Sequence, residues 1–378
     1  MRVRDLIEAL NLIAPLEFAE SWDRVGLHVG RADATLDGPI VLTIDLTEQV
    51  LNEAIENGAS AVVAYHPPIW KPLDRLCDDD PKQRIVLRAA EVGLAVYSPH
   101  TALDAAPGGV TDWLCEGLSG GDGVIHGDCR ALTPLGVIDP SREMKIVTFL
   151  PAEKVDEVRN AMATGGAGIV GAYRLCSFSA EGEATFFAGE GANPQVGRTG
   201  QLERVEERRL EMVCSSSALP LVLETLRRFH PYEEPAIDVY ELAREPMRSV
   251  GVGRRLMLDQ PATMQQLGER LKLFLDRSRV RYALADIDRP FTRIGVVPGS
   301  GSDLIDRAMN EGCEVFVTGE MRHHEVVAAT QHGVSVLLAG HTNTERGYLR
   351  RLAARLGELL PDIPVRVSEA DTDILQVM

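Results

Sequence analysis

Short apolar runs alternate with helical stretches along this chain, and this alternation most constrains its fold. Val41–Ile44, Ala61–Ala64 and Leu94–Tyr97 have the length and composition of strands, and helix-like segments that end at Gly58 and Gly93 separate them. Strand–helix–strand alternation indicates a mostly parallel sheet that is covered by helices. The first third of the chain is therefore predicted to be an α/β structure.

The same alternation returns in the last third of the chain. Arg293–Val297, Val315–Thr318 and Val334–Ala339 are predicted strands, and helical stretches lie between them. The middle of the chain instead mixes strands and helices in a segment of about a hundred residues, which is enough for a separate α+β domain.

These patterns predict one α/β domain, split in the sequence, with a second domain inserted into it. The split domain with its mostly parallel sheet comprises residues 1–130 and 250–378, and the inserted α+β domain comprises residues 143–245. Residues 119–142 are rich in Gly, Asp and Pro, a composition that is typical of a connection.

Charge and composition exclude several classes of protein. With 39 basic and 56 acidic residues the formal net charge is −17, which argues against general nucleic-acid binding. No apolar run approaches the roughly 20 residues that span a bilayer, and the N-terminal segment has the spacing of an amphipathic helix rather than a signal peptide. The six scattered cysteines form no CxxC pair, so we expect a cytoplasmic protein with no membrane association.

Two similar pentapeptides follow strand-like runs. One is His100-Thr-Ala-Leu-Asp104 and the other is His341-Thr-Asn-Thr-Glu345. An old duplication and a chance match both account for the pair. If the halves were duplicated, they would direct histidines and carboxylates to a shared centre.

Histidines recur where predicted strands end, which is where ligands bind in parallel sheets. His66, His100 and His341 each follow such a run, and Asp104 and Glu345 stand close to two of them. Glu320, His323 and His324 follow a fourth strand and belong to the same group. A mixed set of nitrogen and oxygen donors suits Zn, Mn, Fe or Co better than Ca.

A glycine–serine loop follows another predicted strand. The backbone N–H groups of Gly299, Ser300, Gly301 and Ser302 precede a predicted helix and could hold a phosphate or carboxylate. A tight turn with Ser302 as the helix N-cap explains the same residues equally well.

Several of these stretches together are highly specific. They are ESWDRVGLHVG at 20–30, AYHPPIW at 64–70, YSPHTALDAAPGGV at 97–110, PGSGSDLI at 298–305, VTGEMRHHE at 317–325 and GHTNTERG at 340–347. In this combination the chain resembles the Nif-three-like dinuclear-metal hexameric family, whose members are often labelled GTP cyclohydrolase 1 type 2 homologues. The middle segment is similar to the insert of the longer members, which has a PII/CutA-like ferredoxin fold.

The resemblance implies a ring-like homohexamer, arranged as a trimer of dimers, and a centre of two divalent metal ions. It implies metal ligands at His66, Asp104, His341 and Glu345. The chain departs from the family in one ligand position, because many bacterial members carry two adjacent histidines where this chain has Tyr65 and then His66. Tyr65 would then be a weak ligand or a neighbour of the ligands, or His100 would compensate for the missing imidazole, and the alternative is a single ion. Arg24 also replaces the Asn of the WDNVG motif.

Two functions are compatible with these residues. The first is a metal-dependent hydrolase of a nucleotide or related small molecule, with GTP suggested by the family label. Its catalytic set would be His323, His324, Glu320 and His100, which transfer protons or orient ligands. The alternative is a non-catalytic metal protein that delivers metal, senses it or serves as a regulatory scaffold.

Overall fold

A computed structural model describes residues 1–137, 139–191 and 198–375 of the protein. The chain divides into two compact units. Unit 1 comprises Met1–Leu135 and Met247–Met378, and unit 2 comprises Gly136–Pro246. The class is mixed α/β, with several sheets, as the sequence predicts.

The helices of the described part of the chain follow in chain order. They are α1 (Val3–Ile13), α2 (Glu48–Glu56), α3 (Pro81–Glu91), α4 (His100–Ala105), α5 (Val110–Ser119), α6 (Val155–Thr164), α7 (Leu219–Phe229), α8 (Met264–Phe274), α9 (Ile305–Asn310), α10 (His323–Gln331), α11 (Asn343–Arg346) and α12 (Tyr348–Leu359). Short 3-10 turns lie at Leu16–Phe18, Pro140–Arg142, Ala152–Lys154 and Ser302–Leu304.

The strands follow in the same way. They are β1 (Gly26–Val29), β2 (Ile40–Thr43), β3 (Ala61–Ala64), β4 (Ala95–Ser98), β5 (Gly127–Val137), β6 (Met144–Leu150), β7 (Phe178–Phe187), β8 (Leu202–Cys214), β9 (Ile237–Glu241), β10 (Glu245–Ala262), β11 (Arg281–Ala283), β12 (Phe291–Val296), β13 (Val315–Thr318), β14 (Ser335–Leu338) and β15 (Val365–Val367). Of the six strands predicted above, β3 and β13 have the predicted ends, and β2, β4, β12 and β14 differ from theirs by one or two residues, a shift that is usual for element boundaries.

Unit 1 contains two sheets with closely related strand orders. One sheet has the order β1-β4-β3-β2-β15 and the other has the order β11-β14-β13-β12-β10-β5. Four neighbouring strands of the first sheet are parallel (β4, β3, β2 and β15), as are three of the second (β14, β13 and β12). In each sheet an antiparallel strand pairs with the first of these, β1 with β4 and β11 with β14. The two halves that carry the similar pentapeptides therefore also share a topology.

The central strands of unit 1 are short and fully buried. All four residues of β2, β3, β4, β13 and β14 are buried, as expected for parallel strands covered on both faces. Because the strands end abruptly, the residue after each last apolar position emerges at the carboxyl edge of its sheet. This edge is where the histidines lie.

A buried guanidinium fixes the segment that follows α4. Arg254 is 1% exposed and donates from Nε to Asp112 Oδ1 at 2.5 Å. Its other nitrogens donate to backbone carbonyls, among them that of Ala105 at 3.2 Å. A charge buried this deeply is tolerated because its donors are satisfied, and the contact anchors the residue next to Asp104.

Unit 2 is a four-stranded antiparallel sheet with two helices. Its chain order is β6-α6-β7-β8-α7-β9 and its sheet order is β7-β8-β6-β9. This is the βαββαβ order of a ferredoxin-like fold. Ile146, Val158, Met212 and Leu226 are among the residues of its separate hydrophobic core.

One prediction about the chain is wrong. Residues 119–142 are not a connection, because 127–137 form strand β5, which pairs with β10 in the six-stranded sheet. Leu132 is fully buried there, so a side-chain burial pattern outweighs the local Gly and Pro signals. Among the described residues, no helix is long and apolar enough to cross a membrane.

Candidate metal centre

Strand ends of unit 1 place three donor side chains together. His66 stands two residues after β3, His341 stands three residues after β14, and Glu345 lies in the short helix α11. We call His66, His341 and Glu345 the metal cluster, because one ligand atom from each lies within 4.8 Å of the other two. This agrees with the rule that binding sites form beyond the carboxyl ends of parallel strands.

Both imidazoles of the metal cluster face the carboxylate through the same ring atom. His66 Nε2 lies 3.6 Å from Glu345 Oε2, and His341 Nε2 lies 3.5 Å from Glu345 Oε1. The two histidine rings meet edge to face, with centroids 5.5 Å apart. The i, i+4 spacing of His341 and Glu345 therefore does bring the two side chains together.

A second carboxylate holds each imidazole on its other nitrogen. His66 Nδ1 lies 2.9 Å from Asp45 Oδ1, and His341 Nδ1 lies 2.9 Å from Glu320 Oε1. A carboxylate at Nδ1 fixes that proton and leaves Nε2 as a lone-pair donor, which is the arrangement common around protein metal ions. Both rings are thus oriented for coordination through Nε2.

The acidic surroundings change how His66 titrates. Burial alone would lower the pKa of His66, but the hydrogen bond to Asp45 and the negative charges of Asp45 and Glu345 raise it to about 10. A positive charge is therefore strongly stabilised between these carboxylates. A bound cation would take the place of that proton.

The cluster fits a metal ion by two further observations. Glu345 is 3% exposed, and its Oε2 is buried with no hydrogen-bond partner in the described structure. A buried carboxylate oxygen without a partner is costly, and a cation would satisfy it. Gly299 leaves space beside the carboxylate of Glu345, since a Cβ at that position would lie 2.6 Å from Glu345 Oε1.

The glycine–serine loop packs against the cluster. The N–H groups of Gly299 and Gly301 donate to the hydroxyls of Thr344 and Thr318 at 2.8 and 3.0 Å. These two amides are therefore occupied. Anion binding by the remaining residues of the loop, Ser300 and Ser302, stays a prediction.

Asp104 lies beside the cluster and has a different partner. Tyr65 donates its hydroxyl to Asp104 Oδ1 at 2.6 Å. Burial raises the pKa of Asp104 to about 7, although the charge of His100 opposes the rise. Burial and then the Asp104 charge raise the pKa of Tyr65 as well, so Tyr65 is a neutral phenol that donates a hydrogen bond. Metal ligation by Asp104 and by Tyr65 stays a prediction.

His100 lies in an aromatic group next to the cluster. Its Nδ1 is 2.8 Å from Asp23 Oδ1, and its ring centroid is 5.4 Å from that of His66. The ring centroids of Trp22 and Trp70 lie 6.2 and 5.6 Å from that of His100. His100 also has a left-handed backbone, with φ +29°, which is uncommon for a non-glycine residue.

The other three predicted catalytic residues lie outside the metal cluster. His323 and His324 are exposed at the start of α10, where their rings contact each other at 5.7 Å. Glu320 orients His341, as described above. Proton transfer by His323, His324 and Glu320 stays a prediction.

Sequence reasoning missed the two carboxylates that orient the histidines of the first half. Asp45 follows the last apolar residue of its strand, which is the signal that identified the histidines. Asp23 lies in a stretch whose residues are typical of a turn. It is nevertheless buried, and it also accepts a hydrogen bond from the N–H of Thr101 at 3.1 Å. A rule that treats Asp at strand ends like His would have found the first and not the second.

Comparison with known proteins gives one family. Residues 1–374 match the profile of Duf34/NIF3 (NGG1p interacting factor 3). A Bacillus subtilis protein named GTP cyclohydrolase 1 type 2 homolog is 33% identical, over 98% of this chain and 97% of that protein. A cattle protein named NIF3-like protein 1 is also 33% identical, over 100% of this chain and 93% of that protein.

A solved structure agrees with the sequence matches. The crystal structure of a Bacillus cereus protein related to NIF3 superposes with a TM-score of 0.65 at 31% identity. The superposition covers 100% of this chain and 99% of that one. The likeness therefore extends over both units and is not confined to the metal cluster.

Proposed function

This chain belongs to the Duf34/NIF3 family, and on that premise we propose that it is a metal-dependent hydrolase of a nucleotide or related small molecule. One observation carries the proposal. Two imidazole Nε2 atoms, each oriented by its own carboxylate, face a buried carboxylate oxygen that has no hydrogen-bond partner in the described structure. Three protein donors leave a coordination position open, which is typical of catalytic rather than structural metal sites.

A divalent ion supplies Lewis acidity at such a site, because it lowers the pKa of a water that it binds and polarises a carbonyl or phosphoryl oxygen. His66, His341 and Glu345 would hold the ion. Asp45 and Glu320 keep the two histidines in one tautomer, so that the donor atoms need no reorganisation. Zn, Mn, Fe and Co suit these donors.

Asp104 is the residue best placed to accept a proton in the same site. Burial raises its pKa to about 7, close to the pH at which a general base works best. Tyr65 holds Oδ1 of this carboxyl by its hydroxyl. In a two-ion version of the site, Asp104 would be a ligand of the second ion and His100 would stand beside it.

The test is turnover measured together with metal content. Purified protein would be loaded with Zn, Mn, Fe or Co in turn and supplied with GTP, and loss of GTP would be followed by chromatography. We expect Glu345→Gln to lose both the metal and the turnover. The matched control is His332→Ala, which removes an exposed histidine of α10's C-terminus that contacts a helix carbonyl.

Equal GTP loss in wild type and Glu345→Gln would contradict the hydrolase. Metal retained by wild type without any turnover of GTP or of phosphoesters would instead favour the alternative of metal delivery or sensing. The exposure of His341 supports that alternative, because a third of its side chain is open to solvent and exchange of an ion would not require unfolding.

Further properties of the protein are proposed from the resemblance and composition. We propose a cytoplasmic homohexamer, built as a trimer of dimers, in which unit 2 is a PII/CutA-like domain. The βαββαβ order of unit 2 supports the kinship to that fold, and the net charge of −17 argues against nucleic acid as a partner. Light scattering of the metal-loaded protein would test the assembly.

A further inference from the structure

We propose that Trp22 and Trp70 form a platform on which the planar heteroaromatic ring of the substrate, a nucleobase, stacks beside the metal cluster. We call these two residues the tryptophan pair. The proposal deepens the hydrolase function and rests on it, because it assigns the place where the ring of the proposed substrate binds.

The tryptophan pair is unusually exposed for its residue type. Trp22 is 54% exposed and Trp70 is 44% exposed, while the third tryptophan, Trp113, is 6% exposed in the core of unit 1. The two exposed indoles contact each other with centroids 5.7 Å apart and planes tilted by 53°. Within the described residues, neither indole N–H makes a hydrogen bond to the protein.

The position of the pair ties it to the site. The ring of His100 lies 5.6 Å from Trp70, 6.2 Å from Trp22 and 5.4 Å from His66. One imidazole therefore separates the tryptophan pair from a metal-cluster histidine. A small molecule held at the cluster can reach the indoles without leaving the protein surface.

The protein holds His100 in this place at a cost. Its φ of +29° is a strained value for a residue with a Cβ, and such strain concentrates at functional sites. Asp23 fixes its Nδ1 while accepting two further hydrogen bonds from Thr101. A residue needed only to fill space between aromatic rings would not require this restraint.

Indole faces bind planar rings well, and stacking of this kind is largely indifferent to the substituents of the ring. A nucleobase is the ring that agrees with the proposed substrate class. The chemistry does not distinguish guanine from adenine, so GTP and ATP are both suitable probes.

The experiment measures binding rather than turnover. Equilibrium dialysis would give the affinity of metal-loaded protein for GTP, for ATP and for inorganic triphosphate, which has the charge of the nucleotides without the ring. We expect Trp22→Ala and Trp70→Ala each to weaken nucleotide binding about tenfold. Triphosphate binding should stay as in wild type, and Trp22→Phe and Trp70→Phe should keep most of the nucleotide affinity.

Three results would overturn the proposal. They are the absence of nucleotide binding to wild type, unchanged nucleotide affinity in both alanine variants, and an equal loss of triphosphate affinity, which would mean a loop-supporting role. Elemental analysis checks that each variant keeps its metal, and light scattering checks its mass. A lower mass in Trp22→Ala would mean that the pair is an interface between copies of the chain, and this too would overturn the proposal.

The outcomes separate this proposal from the hydrolase itself. Nucleotide binding that depends on the tryptophan pair, without turnover, would contradict the hydrolase and leave the platform intact. If the protein hydrolyses GTP and the KM is unchanged in both alanine variants, the platform is contradicted and the hydrolase proposal still stands.

Discussion

The two halves of unit 1 place the same pattern, a His-Thr pair followed by a carboxylate, after corresponding strands, yet they use it differently. In the second half, His341 and Glu345 meet at 3.5 Å within the metal cluster. In the first half, Asp104 is hydrogen-bonded to Tyr65, and His100 is hydrogen-bonded to Asp23. The pattern by itself therefore does not determine whether a histidine and a carboxylate converge.

The residue before each histidine explains part of the difference. Gly340 precedes His341 and takes a φ of +93°, so the turn's left-handed position falls on a glycine. Pro99 precedes His100 and has a φ of −89°, because its ring forbids positive values. The left-handed position then falls on His100 itself, at a cost of roughly 1–3 kcal/mol.

The helix that follows also begins at a different place. In the first half α4 already includes His100, while in the second half α11 begins two residues after His341. His341 therefore precedes the helix, and its Nε2 lies 3.5 Å from Glu345 Oε1. The comparison teaches that the same sequence pattern gives its histidine a different carboxylate partner when the turn before the helix differs.

The largest expected effect is a difference in metal content between variants of Glu345 and Asp104, the carboxylates of the two patterns. Glu345→Gln should abolish metal binding, because it removes the only charged donor of the cluster and the buried oxygen that lacks a partner. Asp104→Asn should retain at least one equivalent. Elemental analysis of both variants beside wild type decides the matter, and total loss of metal in Asp104→Asn would remove the distinction between the halves.

The next effect comes from the close approach of the glycine loop. Gly299→Ala would place a Cβ 2.6 Å from Glu345 Oε1 and 3.2 Å from His341 Nε2, so we expect metal affinity to fall by about a hundredfold. Gly58→Ala is the matched control, since its φ of +64° resembles the +62° of Gly299 but no atom lies within 4 Å of its Cβ.

We expect Gly58→Ala to lose only the roughly 1–2 kcal/mol of left-handed strain, measured by urea unfolding, and to keep its metal. A similar loss of metal in both variants would assign the effect to strain. The close approach of residue 299 to Glu345 would then have no effect on metal affinity.

A smaller effect contrasts the carboxylates that orient the two histidines. Glu320 is about half exposed and Asp23 is fully buried. Glu320→Gln should lower metal affinity roughly 10–100-fold with little change in stability. Asp23→Asn should instead cost roughly 1–3 kcal/mol of unfolding free energy and leave the first ion's affinity unchanged. Competition with a chelator and urea unfolding measure the two quantities, and the reverse assignment would count against the comparison.

The smallest expected change adds a ligand to the first half. Tyr65→His gives this half a second imidazole beside His66, so we expect the metal content to rise from about one equivalent toward about two. Tyr65→Phe is the control, because it removes the hydroxyl bonded to Asp104 without adding a donor. Equal metal content in wild type and Tyr65→His would mean that Tyr65 does not limit the second position.

Much of this architecture was predictable from the spacing of apolar residues and from the positions of histidines after the strands. Buried strands of four residues separated by amphipathic helices have a strong signal, and His66 and His341 follow such strands directly. Strand β5 was not predictable in this way, because Gly127 and Pro134 mask a burial pattern that only its neighbours in the sheet complete.

The site was predictable in its donors and not in its hydrogen bonds. Which carboxylate orients which histidine depends on loops from distant parts of the chain, as in the pairing of Asp23 with His100. Likewise, the pairing of Tyr65 with Asp104 depends on how deeply both are buried, and burial of single polar residues has no local signal.

The inserted unit has a consequence for how the metal cluster is made in the cell. His66 is synthesised long before His341 and Glu345, because all of unit 2 is translated between them. At ordinary rates of synthesis this delay is on the order of tens of seconds. A nascent chain therefore passes most of its time at the ribosome with one histidine of the cluster and neither of its partners, so the three donors could share an ion only after Glu345 has emerged.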